Sequence, residues 1–316
     1  MILLSVHLIT YNNEEHIDDT IKSILKQKVD FNYEIIIGDD NSTDKTLEIV
    51  NTYVSKHPNL FKVKKNAMQL GILKNFKTTL DRCDGVFVFD IAGDDILKTA
   101  DAFQKMINAL INDDSLGFID SGFDSFHEES KTTTDFKNNS IINSSKDAYK
   151  EVVLLGEIIP IGHCYRKEFL YKYVDFNTYL KMDITIEDYP ILVDMIMNTK
   201  FERINESLHI YRVHSQSHSH QQNIQEQIFQ SNQMNDLFKF FSIKYDFSKK
   251  LNSKFSNYHY KTLLYYARIS NNSEMAKLVY RKIKHKSLKD RTRFLGSQYS
   301  LFRKLISLRK KFGSLR

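Results

Sequence analysis

Cysteine is scarce in this chain. Cys83 and Cys164 are the only two in 316 residues, and no CxxC pairs them. That argues against a disulfide framework or a zinc site and fits a reducing compartment. Long apolar runs are missing as well: no stretch approaches the roughly 18 apolar residues that span a bilayer. The N-terminus, MILLSVHLIT, has no basic n-region and too short an apolar run for a signal peptide, so the cytosol is the expected location. Glycine is absent from Thr10-Tyr11-Asn12-Asn13, the turn after the first apolar run. No GxGxxG follows that run, which argues against a dehydrogenase, and a nucleotidyltransferase would need a Gly-rich phosphate loop there.

What is present is ordinary in bulk and uneven in detail. Hydrophobic residues make up 41% and charged residues 27%, as in a soluble globular protein. The net charge of +6 is concentrated at one end: residues 281–316 hold 13 Lys or Arg and one acid, leaving the rest of the chain mildly acidic. A basic tail implies an anionic partner, a membrane surface or a nucleic acid.

The stretch Val86 to Leu97, VFVFDIAGDDIL, sets the organisation. Its apolar run, interrupted only by Asp90, reads as a strand buried on both faces. Gly93 lets the chain turn where a side chain would crowd it. Asp94 and Asp95 then fall just past the carboxyl end of a central strand, where open α/β sheets bind ligands. Two hard oxygen ligands suit Mg²⁺ or Mn²⁺. A plainer alternative makes Asp95 the cap of a helix starting near Thr99.

Before this stretch, apolar strands at 2–10, 33–38 and 60–64 alternate with helical patterns at 14–27, 45–56 and 71–83. The alternation predicts a mainly parallel sheet with right-handed crossovers. The second strand ends in Asp39-Asp40-Asn41-Ser42-Thr43-Asp44, a polar turn in which Asp44 can cap the next helix. A helix over 101–111 and a strand over 116–123 follow, then a polar loop at 128–143, a bend at Pro160 and Gly162, a helix opened by Glu187-Asp188-Tyr189-Pro190, and a strand over 201–213. From residue 221 the segments 224–241 and 261–283 carry apolar residues at helical spacing. The expected division is an α/β domain at 1–220 and an α-helical basic region at 221–316.

In order, SVHLITYNNEEHI, EIIIGDDNSTDKTLEIV, GVFVFDIAGDDIL, EDYPILVDM and YRVHSQS resemble the inverting nucleotide-sugar glycosyltransferases of family 2, which have a GT-A, Rossmann-like fold. The resemblance covers roughly residues 1–220. It implies a nucleotide diphosphate sugar donor, Mn²⁺ or Mg²⁺ as cofactor, and a glycan or lipid-linked acceptor, in a setting of bacterial surface polysaccharide assembly. Thr10, Tyr11 and Asn12 would line the base, with Tyr11 offering its ring face. Asp40, with Asp39 beside it, would accept from the base N–H, favouring uracil and hence a UDP-sugar. Asn66, Gly71, Lys74 and Asn75 occupy positions that support the ribose and phosphates.

The family's Asp-x-Asp signature reads Ala92-Gly93-Asp94 here, so its first carboxylate is missing. Asp94 is the implied metal ligand, with Gly93 and Asp95 beside the donor. The loss also leaves open a non-catalytic scaffold or binding subunit. Glu187-Asp188 resembles the catalytic pair, Asp188 being the base that takes the acceptor proton; an acidic helix N-terminus explains the same residues structurally. His214 would complete the metal shell, and His163 would line the acceptor cleft. His218 and His220 extend a local histidine cluster. The tail FLGSQYSLFRKLISLRKKF is a basic amphipathic pattern that could lie on an anionic leaflet at the inner face of the membrane or pack on the body. No recognition motif accompanies its charge, so nucleic acid is not an expected partner.

Overall fold

The computed structural model describes residues 1–135, 145–157, 161–215, 223–299 and 302. It divides into two compact units, Met1–His214 and Ser215–Arg316.

The first unit begins with β1 (Leu4–Thr10), α1 (Ile17–Leu25), β2 (Tyr33–Asp39), α2 (Thr46–Lys56), β3 (Phe61–Lys65), α3 (Ile72–Leu80) and β4 (Phe87–Ala92). These strands run parallel in the order β3-β2-β1-β4. All seven residues of β1 are buried, as an apolar run sandwiched by helices requires. Leu4, Val6 and Leu8 join the core with Ile17, Ile21 and Ile24 of α1. Each such side chain contributes about 1.5–3 kcal/mol through burial. The alternate β1 residues Ser5 and His7 face the other way and are satisfied: Ser5 donates to Glu34 at 2.6 Å, and His7 Nε2 donates to the Phe76 carbonyl at 2.9 Å.

Beyond β4 the sheet becomes mixed. β5 (Ile96–Leu97), α4 (Ala102–Asn112), β6 (Leu116–His127) and β7 (Thr132–Thr134) are followed by α5 (Lys146–Leu154), β8 (Cys164–Arg166), α6 (Lys167–Tyr173), α7 (Phe176–Lys181), α8 (Asp188–Asn198) and β9 (Lys200–Val213). β8 runs antiparallel to β4 and β6, while the long β6 and β9 pair in parallel. Part of the expected polar loop at 128–143 is a strand: Thr132–Thr134 pairs with Ser125–His127. Residues 136–144 of that loop, and Pro160, lie outside the described residues. Asp95 does not cap a helix; α4 starts at Ala102, with Asp101 at the cap position.

The second unit contains α9 (Ile224–Lys244), α10 (Lys249–Ile269), α11 (Ser273–Lys282) and α12 (Leu288–Gln298). The segment expected as one helix over 261–283 is two, because Asn271, at φ 57°, turns the chain and Asn272 caps α11 by accepting from the Met275 amide. Leu263, Leu264, Ala267, Ala276, Val279 and Ile283 form its core. Among the described residues, no helix is long and apolar enough to cross a membrane. Most of the basic amphipathic tail, residues 303–316, and both His218 and His220 lie outside the described residues.

Candidate active site

The sheet register brings three loop starts to one edge: Thr10 pairs with Asp39, and Ile9 with Ala92. The strand order reverses at β1, so a crevice forms there at the carboxyl ends of the strands. The loops are tied to each other. Asn12 N–H donates to Ser42 Oγ, Thr43 N–H donates to Asn12 Oδ1, and Glu14 N–H donates to Asp44. Asp44 also accepts from Thr46 N–H, holding the start of α2. Tyr11 stays 41% exposed at this edge, leaving its ring face available.

Asp39 and Asp40 are both buried and both engaged. Asp39 accepts from the amide and hydroxyl of Ser42. Asp40 accepts from Asn66 Nδ2 and from the amides of Leu70 and Gly71. Asn66 also donates to Asn75 Oδ1 at 2.9 Å, and Asn75 donates to the Gly38 carbonyl. Asn66 and Asn75 are 6% and 2% exposed. Here their amides hold Asp40 and the 66–71 turn. Lys74 is exposed on α3.

At the end of β4 a Cβ on Gly93 would lie 2.6 Å from Thr10 Oγ1. Only glycine allows β1 and the β4 loop to approach this closely. Asp94 then meets His214 from the end of β9: His214 Nε2 lies 3.0 Å from Asp94 Oδ2. The expected metal ligands are thus adjacent. Asp95 points elsewhere. It is 6% exposed, it accepts from the Arg212 amide, and burial with the neighbouring Asp94 charge pushes its carboxyl well above the usual range. It ties the β5 loop to β9 through the Arg212 amide. Arg212, which the sequence reading left without a role, donates through Nε to the Asp94 carbonyl and pairs with Asp19 and Glu128.

Glu187 and Asp188 start α8, with Pro190 in its first turn. The helix-start reading holds, and a helix N-terminus favours and positions a carboxylate. Burial and the nearby Asp90 charge push the Asp188 carboxyl up to about 6, against the Tyr189 amide, which donates to it at 2.7 Å. Burial and the charges of Asp188 and Asp90 push Glu187 well above the carboxylate range. Asp90 thus belongs to the site. Its Oδ1 lies 2.7 Å from His7 Nδ1. The signal for it is strand alternation: between Phe87 and Asp95 only Asp90, Ala92 and Asp94 are partly exposed.

His163 does not line an open cleft. It is 3% exposed and its ring packs beside Phe118 and Tyr165. Gly162, at φ 67°, turns the chain inward past the His209 ring. Burial and then the neighbouring His209 push the His163 imidazole down to about 3, so it stays neutral.

Comparison with known proteins places the chain in a family. The family model described as glycosyl transferase family 2 matches residues 5–174. An uncharacterized glycosyltransferase of Haemophilus influenzae is 32% identical over 114 residues, 36% of this chain and 34% of that protein. Poly(ribitol-phosphate) beta-N-acetylglucosaminyltransferase TarS of Staphylococcus aureus is 35% identical over 112 residues, 33% of this chain and 19% of TarS. An uncharacterized Mycobacterium tuberculosis protein is 35% identical over 107 residues, 34% of this chain and 31% of that protein. The chain thus spans about a third or less of these curated relatives. The crystal structure of TarS 1–349 in complex with UDP-GlcNAc superposes with a TM-score of 0.58 at 16% identity, covering 94% of this chain and 79% of that one. The mannosyltransferase PcManGT of Pyrobaculum calidifontis, in complex with GDP-Man and Mn²⁺, gives 0.59 at 15% identity over 96% and 83%. Those likenesses show a GT-A fold. With the family match running from β1 through β4 and on to Val174, the chain belongs to glycosyl transferase family 2.

Proposed function

We propose that this protein transfers a sugar from a UDP-linked donor to a hydroxyl acceptor with inversion at the anomeric carbon. The supporting observation is the meeting of Asp94 and His214, 3.0 Å apart past the ends of β4 and β9, in a fold whose acidic pair Glu187-Asp188 is pushed up by burial and by the Asp90 charge. Asp188 is the general base. A carboxylate lifted to about 6 is ionised at neutral pH yet basic enough to take a proton as the acceptor oxygen attacks. Glu187 beside it is likewise pushed upward, by burial and by the Asp188 and Asp90 charges.

The Asp94 carboxylate and the His214 imidazole form a mixed oxygen and nitrogen donor pair that fits a divalent cation such as Mn²⁺. Bound there, the cation would neutralise charge developing on the leaving diphosphate. Tyr11 would stack on the uracil ring from its exposed position. TarS, solved with UDP-GlcNAc, supports a UDP-linked donor, and PcManGT, solved with GDP-Man, makes GDP-sugars the second class to test. A glycan or lipid-linked acceptor fits relatives named TarS and abequosyltransferase RfbV. Work at the inner membrane face, with the basic tail against anionic lipid, fits the same setting.

The experiment is UDP release from a panel of UDP- and GDP-sugars, with Mn²⁺ or with EDTA. Metal-dependent release from one UDP-sugar supports the reading. Binding of UDP without turnover of any sugar, with or without acceptor extracts, would favour a scaffold role.

A further inference from the structure

His16, just before α1, and Glu128, just after β6, are assigned no role above, yet both reach His214. One nitrogen from each imidazole and one Glu128 oxygen lie within 4.8 Å of one another. His16 Nε2 is 3.4 Å from Glu128 Oε2, and the two imidazole rings meet edge to face with centroids 4.4 Å apart. His16 is 4% exposed, and neither of its ring nitrogens makes a hydrogen bond among the described residues. A buried imidazole with two unmet nitrogens is unusual and points to an absent partner. Arg212 lies 3.5 Å from the other Glu128 oxygen, Oε1, which leaves Oε2 turned to the histidines. An outer partner that fixes a ligand's orientation is what a metal site requires.

We propose that His16, Glu128 and His214, with Asp94 at their edge, form one site for a divalent transition ion. Ligand bonds of about 2.0–2.2 Å suit donor atoms at this spacing after modest closure. Two imidazoles and carboxylate oxygen favour Mn²⁺, Co²⁺ or Zn²⁺ over Mg²⁺, which prefers oxygen alone. In this arrangement imidazoles stand in for the carboxylate missing at Ala92. That substitution rests on the transferase reading; ion binding itself does not.

The test uses the full chain stripped with a chelator and reloaded with Mn²⁺, Zn²⁺ or Mg²⁺. Calorimetry is expected to show one Mn²⁺ or Zn²⁺ per chain and much weaker Mg²⁺. His16→Gln and Glu128→Gln are each expected to weaken binding at least about 10–100-fold, the cost seen for losing even an outer partner. X-ray absorption of the Zn²⁺-loaded wild type needs no variant and is expected to show two imidazole ligands. An all-oxygen shell, unchanged affinity in both variants, or no retained ion overturns the site. UDP binding in the same samples separates the readings: UDP bound without any ion retains the donor site and removes this one, whereas loss of both removes both.

Discussion

His214 Nε2 lies 3.0 Å from Asp94 Oδ2 across a separation of 120 residues, joining the end of β9 to the loop after β4. The contact places an imidazole beside the sole carboxylate left from the Asp-x-Asp pattern. On the proposed function, donor binding depends on both residues. UDP with Mn²⁺ at 100 times its Kd is expected to stabilise the wild type by about 2.7 kcal/mol. For a chain of this size that is a rise in Tm of about 4 °C. Asp94→Ala and His214→Ala are each expected to abolish the metal-dependent part of that rise, read by thermal shift with Mn²⁺ and with EDTA. A full shift in both variants would separate the pair from the donor.

Asp90 tunes the base. Its charge holds the Asp188 proton more tightly, so Asp90→Asn is expected to lower the Asp188 pKa and move the acid limb of the kcat profile to lower pH. The profile of UDP release against pH checks this. An unmoved limb would mean that Asp90 does not act on the base.

Ionised Asp188 costs stability. Its folded pKa is raised, so the cost is absent below the unfolded value of about 3.9, grows as pH rises through about 6, and is full at pH 8. Asp188→Asn is therefore expected to stabilise the protein by about 1–2 kcal/mol at pH 8, after allowing for solvent screening at a partly exposed group. The gain should fade by pH 4. Thermal melts at the two pH values give the comparison, and a gain larger at pH 4 would reverse the sign.

Asn75 is structural. Asn75→Ala removes the donor to the Gly38 carbonyl and one of the two acceptors of Asn66, which keeps Asp40, and is expected to cost about 1–3 kcal/mol in urea unfolding. UDP affinity measured below the transition should change little. A variant of wild-type stability with lost UDP affinity would restore Asn75 to the donor site.

Much of the first unit was legible because its signals are local. Apolar runs over Leu4–Thr10, Tyr33–Asp39 and Phe87–Ala92 gave the parallel strands, and their polar ends marked the crevice. What failed depended on side-chain direction or on partners remote in sequence. Asp94 and Asp95 are neighbours, yet one faces His214 and the other is buried against Arg212. Two-residue alternation carried forward from Asp90 separates them. His163 reads as a cleft residue because it follows a turn, but the positive φ of Gly162 sends it inward. His16 and Glu128 carry no shared local pattern; they meet because β6 runs beyond Phe123 to His127. Asn66 and Asn75 have the composition of ligand contacts, and only their burial shows that they serve the protein itself.

The most direct measurement is kcat for UDP release from the preferred UDP-sugar between pH 5 and 9, in wild type and Asp188→Asn, with UDP affinity measured alongside. Wild type is expected to rise with pH through an apparent pKa near 6. Asp188→Asn is expected to fall about 100-fold or more, to lose that limb, and to bind UDP as before. Wild-type turnover with the same pH limb in Asp188→Asn would contradict the assignment of Asp188 as the base.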